Sequence, residues 1–292
     1  MPSDTPEPEP SELRMQCMEV WGGNESATRE VALTGLDAWV YCQPHLNSRT
    51  GGDVYYLSSC ASGRISRLLI ADVAGHGDDA GKTARALREL MRRNINYINQ
   101  TRLVEAINGQ FAQGVSGGRF ATALISTYFC PTQSLFLSTA GHPWPVHFDS
   151  ATGIWKELPD SPAGRRDGPL QDLPFGVIDQ VSYRQVQLKI VPNDLVLCFS
   201  DGLIEFPCTN RSSNGQLGTE GLLEVLNSLG PLAPGQVIPE LLQRVTGNLS
   251  TASQSDDLTL VLLRPNGAPV PLENSLGAPW RLLRELFRKP AD

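Results

Sequence analysis

Residues 68–77, LLIADVAGHG, constrain this chain more than any other stretch. The apolar run reads as a strand buried on both faces, and it ends on a carboxylate, Asp72. Gly75 and Gly77 let the backbone bend sharply beside that charge. Alone, such an aspartate reads as a turn former or a helix cap. The residues just upstream add a second reading. Residues 51–60, GGDVYYLSSC, form another strand pattern, and Ser62–Gly63 supplies a two-residue hairpin loop. That loop pairs Ala61 with Arg64, and so places opposite each other residues whose numbers sum to 125. Asp53 then faces Asp72 with Cβ atoms about 5 Å apart. Like charges directly opposite destabilise a sheet, and a cation between them removes the conflict.

Composition narrows the class. The 292 residues are 40% hydrophobic and 19% charged, as in a globular chain. A net charge of −7 and a pI near 5.2 argue against nucleic-acid binding. No apolar run is long enough for a transmembrane segment. Met1 to Pro10 is acidic and proline-rich without an apolar core, so it does not read as a secretory signal. Cys17, Cys42, Cys60, Cys130, Cys198 and Cys208 are widely spaced and form no CxxC pair. They read as reduced core thiols of a cytoplasmic protein.

Along the chain, strands are expected at 15–23, 36–42, 53–60 and 65–72, with the polar stretch 24–33 as a short helix or loop. Asp78 is placed as the N-cap of a helix reaching Ile98, whose apolar residues recur at helical spacing. Its arginines read as a solvated face, with a docking surface as the alternative. A second helix is expected over 102–113, then a hairpin of 120–130 and 133–140 and short strands at 145–148 and 154–158. Residues 159–174, with Arg165–Arg166, read as a surface flap. Strands are expected at 183–190 and 195–200, helices at 220–228 and 236–249, and a last strand at 258–263. Grouped helices among many strands indicate an α+β fold with antiparallel sheets. The divisions expected are a disordered tail at 1–14, one domain at 15–266, and a C-terminal linker with a basic amphipathic helix at 267–292. That helix reads as packing on the domain, binding a partner, or touching a membrane surface.

Four aspartates, Asp53, Asp72, Asp201 and Asp256, stand at the ends or starts of apolar strands. All-oxygen ligands favour Mg²⁺ or Mn²⁺ over zinc, and two divalent ions balance four negative charges. Such a pair can activate water for in-line hydrolysis of a phosphate monoester. His76 and His142 read as structural before catalytic.

Six segments taken together, GGD at 51–53, ADVAGHG at 71–77, TAGHP at 139–143, LPFGV at 173–177, FSDG at 199–202 and SDDLT at 255–259, resemble the metal-dependent (PPM-type) serine/threonine protein phosphatases. The similarity is to the bacterial SpoIIE/RsbU-like branch, which controls sporulation and stress sigma factors. The resemblance implies an αββα sandwich of two antiparallel sheets flanked by helices. It implies two ions, Mn²⁺ or Mg²⁺, one held by Asp53, Asp72 and the Val73 carbonyl. Asp72 would bridge to the second, held also by Asp201 and Asp256, with Asp256 rather than Asp257 as ligand. It further implies a phosphorylated regulatory protein as partner, such as an anti-sigma-factor antagonist, and a switch helix over 79–98. Tyr56 stands where the family often has an acidic residue, and Asp78–Asp79 where small apolar residues are usual. Two other functions compete: a catalytically inactive phosphatase fold that binds a signalling partner, and a metal hydrolase of small phosphorylated metabolites.

Overall fold

The computed structural model describes residues 17–45, 48–60, 62–75, 77–114, 118–159, 171–207, 215–247 and 256–268. The strands are β1 (Cys17–Gly23), β2 (Ala27–Leu33), β3 (Leu36–Gln43), β4 (Val54–Cys60), β5 (Ile65–Val73), β6 (Ala121–Phe129), β7 (Ser134–Ala140), β8 (Val146–Asp149), β9 (Ile154–Glu157), β10 (Val186–Lys189), β11 (Leu195–Phe199) and β12 (Leu258–Pro265). The helices are α1 (Asp78–Asn94), α2 (Gln100–Gly114), α3 (Asp201–Ile204), α4 (Gly218–Ser228) and α5 (Pro234–Thr246). One sheet runs β1-β4-β5-β6-β7-β10 and the other β2-β3-β12-β11-β8-β9. Every strand pair is antiparallel.

Period-2 alternation divides each central strand between two cores. Leu68 and Ile70 of β5 join Tyr55 and Leu57 of β4, Val40 of β3, Cys198 of β11 and Val261 of β12 in the core between the sheets. Leu69, Ala71 and Val73 point the other way, with Val54 and Tyr56, against Leu87 and Met91 of α1 and Ile107 and Phe111 of α2. Leu197, Phe199, Leu260 and Leu262 face Leu222 and Leu226 of α4 and Leu241 of α5. The layers are therefore helices, sheet, sheet, helices, the expected αββα sandwich. Strands that read as unbroken apolar runs are those covered on both faces. Tyr56 is fully buried on the helix side, and its place in the chain is a packing position.

The buried Arg67 guanidinium donates to the carbonyls of Ile95, Tyr97 and Ile98, which fastens the chain just after α1 to β5. Cys42, Cys60, Cys130 and Cys198 are free thiols, and burial pushes Cys42 and Cys198 up to about 12, as expected of unreactive core residues.

Several expectations need correction. Residues 27–33 form an edge strand, β2, where a short helix or loop was expected. Thr28, Arg29 and Glu30 in succession are exposed, on both faces of this edge strand, which hides the alternating pattern of a half-buried strand. Asp78 is the first residue of α1, while Gly77 at φ 79° holds the cap position. Helix α1 ends at Asn94, short of Ile98, which is exposed. Strand β10 covers only Val186–Lys189 of the expected 183–190. Helix α3, absent from the expectations, starts on Asp201. The N-terminal tail, His76, Arg165–Arg166, Cys208 and the basic C-terminal helix lie outside the described residues.

The double burial of β5 sets a stability test. Truncating Ile70 to Ala should cost about 2–5 kcal/mol, seen as a lower urea midpoint with an unchanged slope. Truncating the exposed Val191 to Ala should stay within about 0.5 kcal/mol.

Candidate metal centre

The hairpin register is the one read from the loop: Val54 pairs with Ala71 and Ser59 with Ser66. The ladder runs one step further, since the Val73 N–H donates to the Gly52 carbonyl at 3.3 Å. Asp53 and Asp72 consequently fall opposite each other. By alternation both lie on the inter-sheet side, at one end of the sandwich. From the other sheet, β11 runs into Asp201 and β12 starts just after Asp256. A Cβ on Gly202 would strike the Asp257 carbonyl and meet the Asp256 Cβ at 3.6 Å, so the start of α3 lies tight against the entry to β12. Four acidic residues from distant parts of the chain thus gather at one end of two facing sheets.

Their charges act on one another. Burial pushes the Asp53 carboxyl well above the usual range, and the Asp72 charge pushes it further. A hydrogen bond from Ser200 Oγ at 2.6 Å works in the opposite direction. Asp72 is raised to about 7, first by burial and then by Asp201, Asp256, Asp257 and Glu205. Asp201 is raised by burial, Asp256 and Glu205. Among the described residues no three His, Cys, Asp or Glu side chains stand in ion-holding geometry.

Asp257 has a different task. Its Oδ1 accepts the His45 N–H at 2.6 Å, and its Oδ2 accepts those of Gly52 at 2.6 Å and Asp53 at 3.2 Å. A carboxylate receiving three backbone donors is a strong clasp. Its neighbour Asp256, whose Oδ1 accepts the Asp257 N–H at 2.8 Å, is one of the charges that raise Asp72 and Asp201. The glycines belong to the same device. A Cβ on Gly51 would meet the Asp257 carboxylate at 2.6 Å, and one on Gly52 would meet the Val73 carbonyl at 2.8 Å and Asp72 Oδ1 at 3.4 Å. The Val73 carbonyl and Asp72 thus face a common space kept open by a missing side chain.

Three supporting residues were not singled out in the sequence. Ser200 links Asp53 to β12 by also accepting the Thr259 N–H at 2.9 Å. Asn24 donates to the Gly51 and Gly81 carbonyls, tying the glycine pair to α1. Asp257 was visible only as the neighbour of Asp256. His142 meets its structural expectation: it is buried, its Nδ1 lies 2.8 Å from Thr122 Oγ1, and burial lowers it to about 4.

The family model described as Stage II sporulation protein E (SpoIIE) matches residues 62–266. The chain belongs to the SpoIIE family. It is a PPM-type phosphatase homologue, and its two sheets flanked by helices are the PP2C fold. The RsbU and RsbW domains of Rv1364c from Mycobacterium tuberculosis superpose with a TM-score of 0.66 at 22% identity, covering 90% of this chain and 72% of that one. The PP2C phosphatase domain of SpoIIE from Bacillus subtilis, with a fragment of its regulatory domain, gives 0.63 at 16% identity, covering 86% and 70%. The catalytic domain of the serine/threonine protein phosphatase PstP, in complex with two manganese ions, gives 0.51 at 16% identity, covering 78% and 97%. Among the described residues of this SpoIIE-family chain, no helix is long and apolar enough to cross a membrane.

The raised Asp72 pKa fixes the sign of a pH effect. Folded Asp72 keeps its proton up to about pH 7, whereas in the unfolded chain it is lost near the ordinary carboxyl value of 3.8. Unfolding therefore releases a proton in that window, and stability falls as pH rises through it. Asp72→Asn removes this pH dependence. In metal-free buffer the variant should gain stability relative to wild type between about pH 4 and 7, measured by urea unfolding at each pH. A difference independent of pH would contradict the assignment.

Proposed function

We propose that this chain hydrolyses phosphoserine or phosphothreonine on a regulatory protein, using two Mn²⁺ or Mg²⁺ ions and water, with no covalent protein intermediate. The observation that carries the reading is geometric: the β4–β5 register sets Asp53 opposite Asp72, and Asp201 and Asp256 stand at the ends of neighbouring strands of the other sheet, close enough for their charges to act on Asp72. The donor set is all oxygen, which fits a hard divalent cation. Asp53, Asp72 and the Val73 carbonyl would hold one ion; Asp72, Asp201 and Asp256 would hold the other. When bound, the pair supplies an activated water and neutralises charge on the transferring phosphoryl group.

The chain's own work is placement. Asp257 grips the backbone of Gly52 and Asp53, and Ser200 and Thr259 hydrogen-bond the Asp53 carboxylate and hold it in place. Strand ends hold these groups more rigidly than loops would. The relatives support a signalling role: one carries RsbU and RsbW domains, and another is a cell fate determinant. A second reading, a phosphatase fold that only binds a partner, draws on the absence, among the described residues, of three such side chains in ion-holding geometry. Calorimetric titration with Mn²⁺ separates the two, since only the first requires ion binding.

With Mn²⁺, wild type should turn over p-nitrophenyl phosphate and a phosphoserine peptide, and Asp72→Asn should lose at least about 100-fold in kcat/KM. Equal rates would remove the mechanism. Mn²⁺ should also raise the wild-type melting temperature more at pH 7.5 than at pH 5.5, because protons compete for the carboxylates at the lower pH.

A further inference from the structure

At the end of the second sheet remote from the aspartates, a cavity of about 320 Å³ opens on the helix side. Phe148, Trp155, Leu195, Leu229, Leu232 and Val237 line it. Leu195 begins β11, whose other end runs into Asp201, so the cavity and the acidic cluster stand at opposite ends of one strand. The Phe148 and Trp155 rings, 5.4 Å apart and tilted by 47°, make an apolar wall. Pro231 in the α4–α5 connection and Pro234 at the start of α5 border the opposite side, and their fixed φ angles keep it from folding into the gap. The lining cation Arg264 is already engaged: it pairs with Asp37 at 2.5 Å and lies over the Trp39 ring at 5.2 Å. The lining therefore suits an apolar side chain rather than an anion.

The chain itself supplies such a side chain close by. Strand β12 ends at Pro265, one residue past the lining Arg264. A Cβ on Gly267 would meet Pro192 Cγ at 3.6 Å, and Pro192 adjoins Asn193, which also lines the cavity. The chain therefore leaves the second sheet at the cavity's rim. Further on, Trp280, Leu283 and Phe287 recur at i, i+3 and i+7, the spacing of one apolar helical stripe. Residues 269–279 can bridge about 35–40 Å when extended, so reach to this rim is not limiting. Arg281, Arg284, Arg288 and Lys289 flank the stripe with a single acid, Glu285, in a chain of net charge −7. The segment is thus opposite in sign to the body that carries it. We propose that Trp280 and Leu283 of this C-terminal segment fill the cavity. Apolar cavities of about 150 Å³ already take up benzene, so an indole ring fits the space. The short tether gives the segment an effective concentration in roughly the millimolar range, which favours it over a second copy or a separate partner. This docking lies beyond the proposed catalysis and is independent of it.

The test places the photo-crosslinker benzoylphenylalanine at position 280 of the full chain, in an equal mixture of isotope-labelled and unlabelled protein, and maps the adducts by mass spectrometry. Adducts should fall on residues 148–155 or 229–237 of the same chain. Adducts that join labelled to unlabelled chains make a second copy the occupant and overturn the docking. So do adducts confined to other parts of the domain, or none. Hydrogen exchange supplies a second readout without the crosslinker. In Trp280→Ser, the amides of residues 229–237 should exchange about tenfold faster than in wild type, as expected when one aromatic contact is withdrawn, while those of β5 keep their wild-type rates. Trp280→Phe should retain most of the protection. Rates at 229–237 that Trp280→Ser leaves unchanged also overturn it.

Discussion

The register between β4 and β5 places Asp53 opposite Asp72, and the rest of the site is built around that juxtaposition. A slip of one residue would turn one of the two carboxylates toward the helix-side core and exchange every apolar contact along the strand. The pairing is held on both faces. Leu68 and Ile70 need the inter-sheet core, and Leu69, Ala71 and Val73 need the helices. The same packing that stabilises the hairpin therefore forces two like charges together. Such a conflict is tolerated in a fold when something else resolves it, and the divalent cations proposed for this site would do so.

The second sheet completes the arrangement. Asp201 comes at the end of a fully buried strand, and Asp256 sits at the start of another. Asp257 turns inward and reads backbone donors of the first sheet's entry loop. Adjacent aspartates thus divide the labour: one faces the acidic cluster, and the other fixes the loop that delivers Asp53. The glycine pair before Asp53 is required by the same contact, because a side chain at Gly51 would strike the Asp257 carboxylate.

Much of this was legible in the sequence because it rests on short-range rules. Alternation and a Ser–Gly loop suffice to give the hairpin register, and apolar runs ending in aspartate mark the strand termini. The parts that were not legible depend on distant partners. Strand β2 carries polar residues on an exposed edge, so its pattern does not stand out from a loop. The end of α1 is set by Arg67, which lies on a strand and reaches the carbonyls that follow the helix. The roles of Asn24, Ser200 and Asp257 are side-chain contacts across the sandwich, and no local pattern encodes them.

Strand β12 lies between β3 and β11, so it alone joins the two halves of its sheet. It also brings Asp257, which reaches Gly52 across 205 positions of sequence. During synthesis on the ribosome, the early half of that sheet and the later half must wait for this last strand to emerge. A chain that stops short of β12 therefore carries Asp53 without this brace, and the two halves of the second sheet without the strand between them.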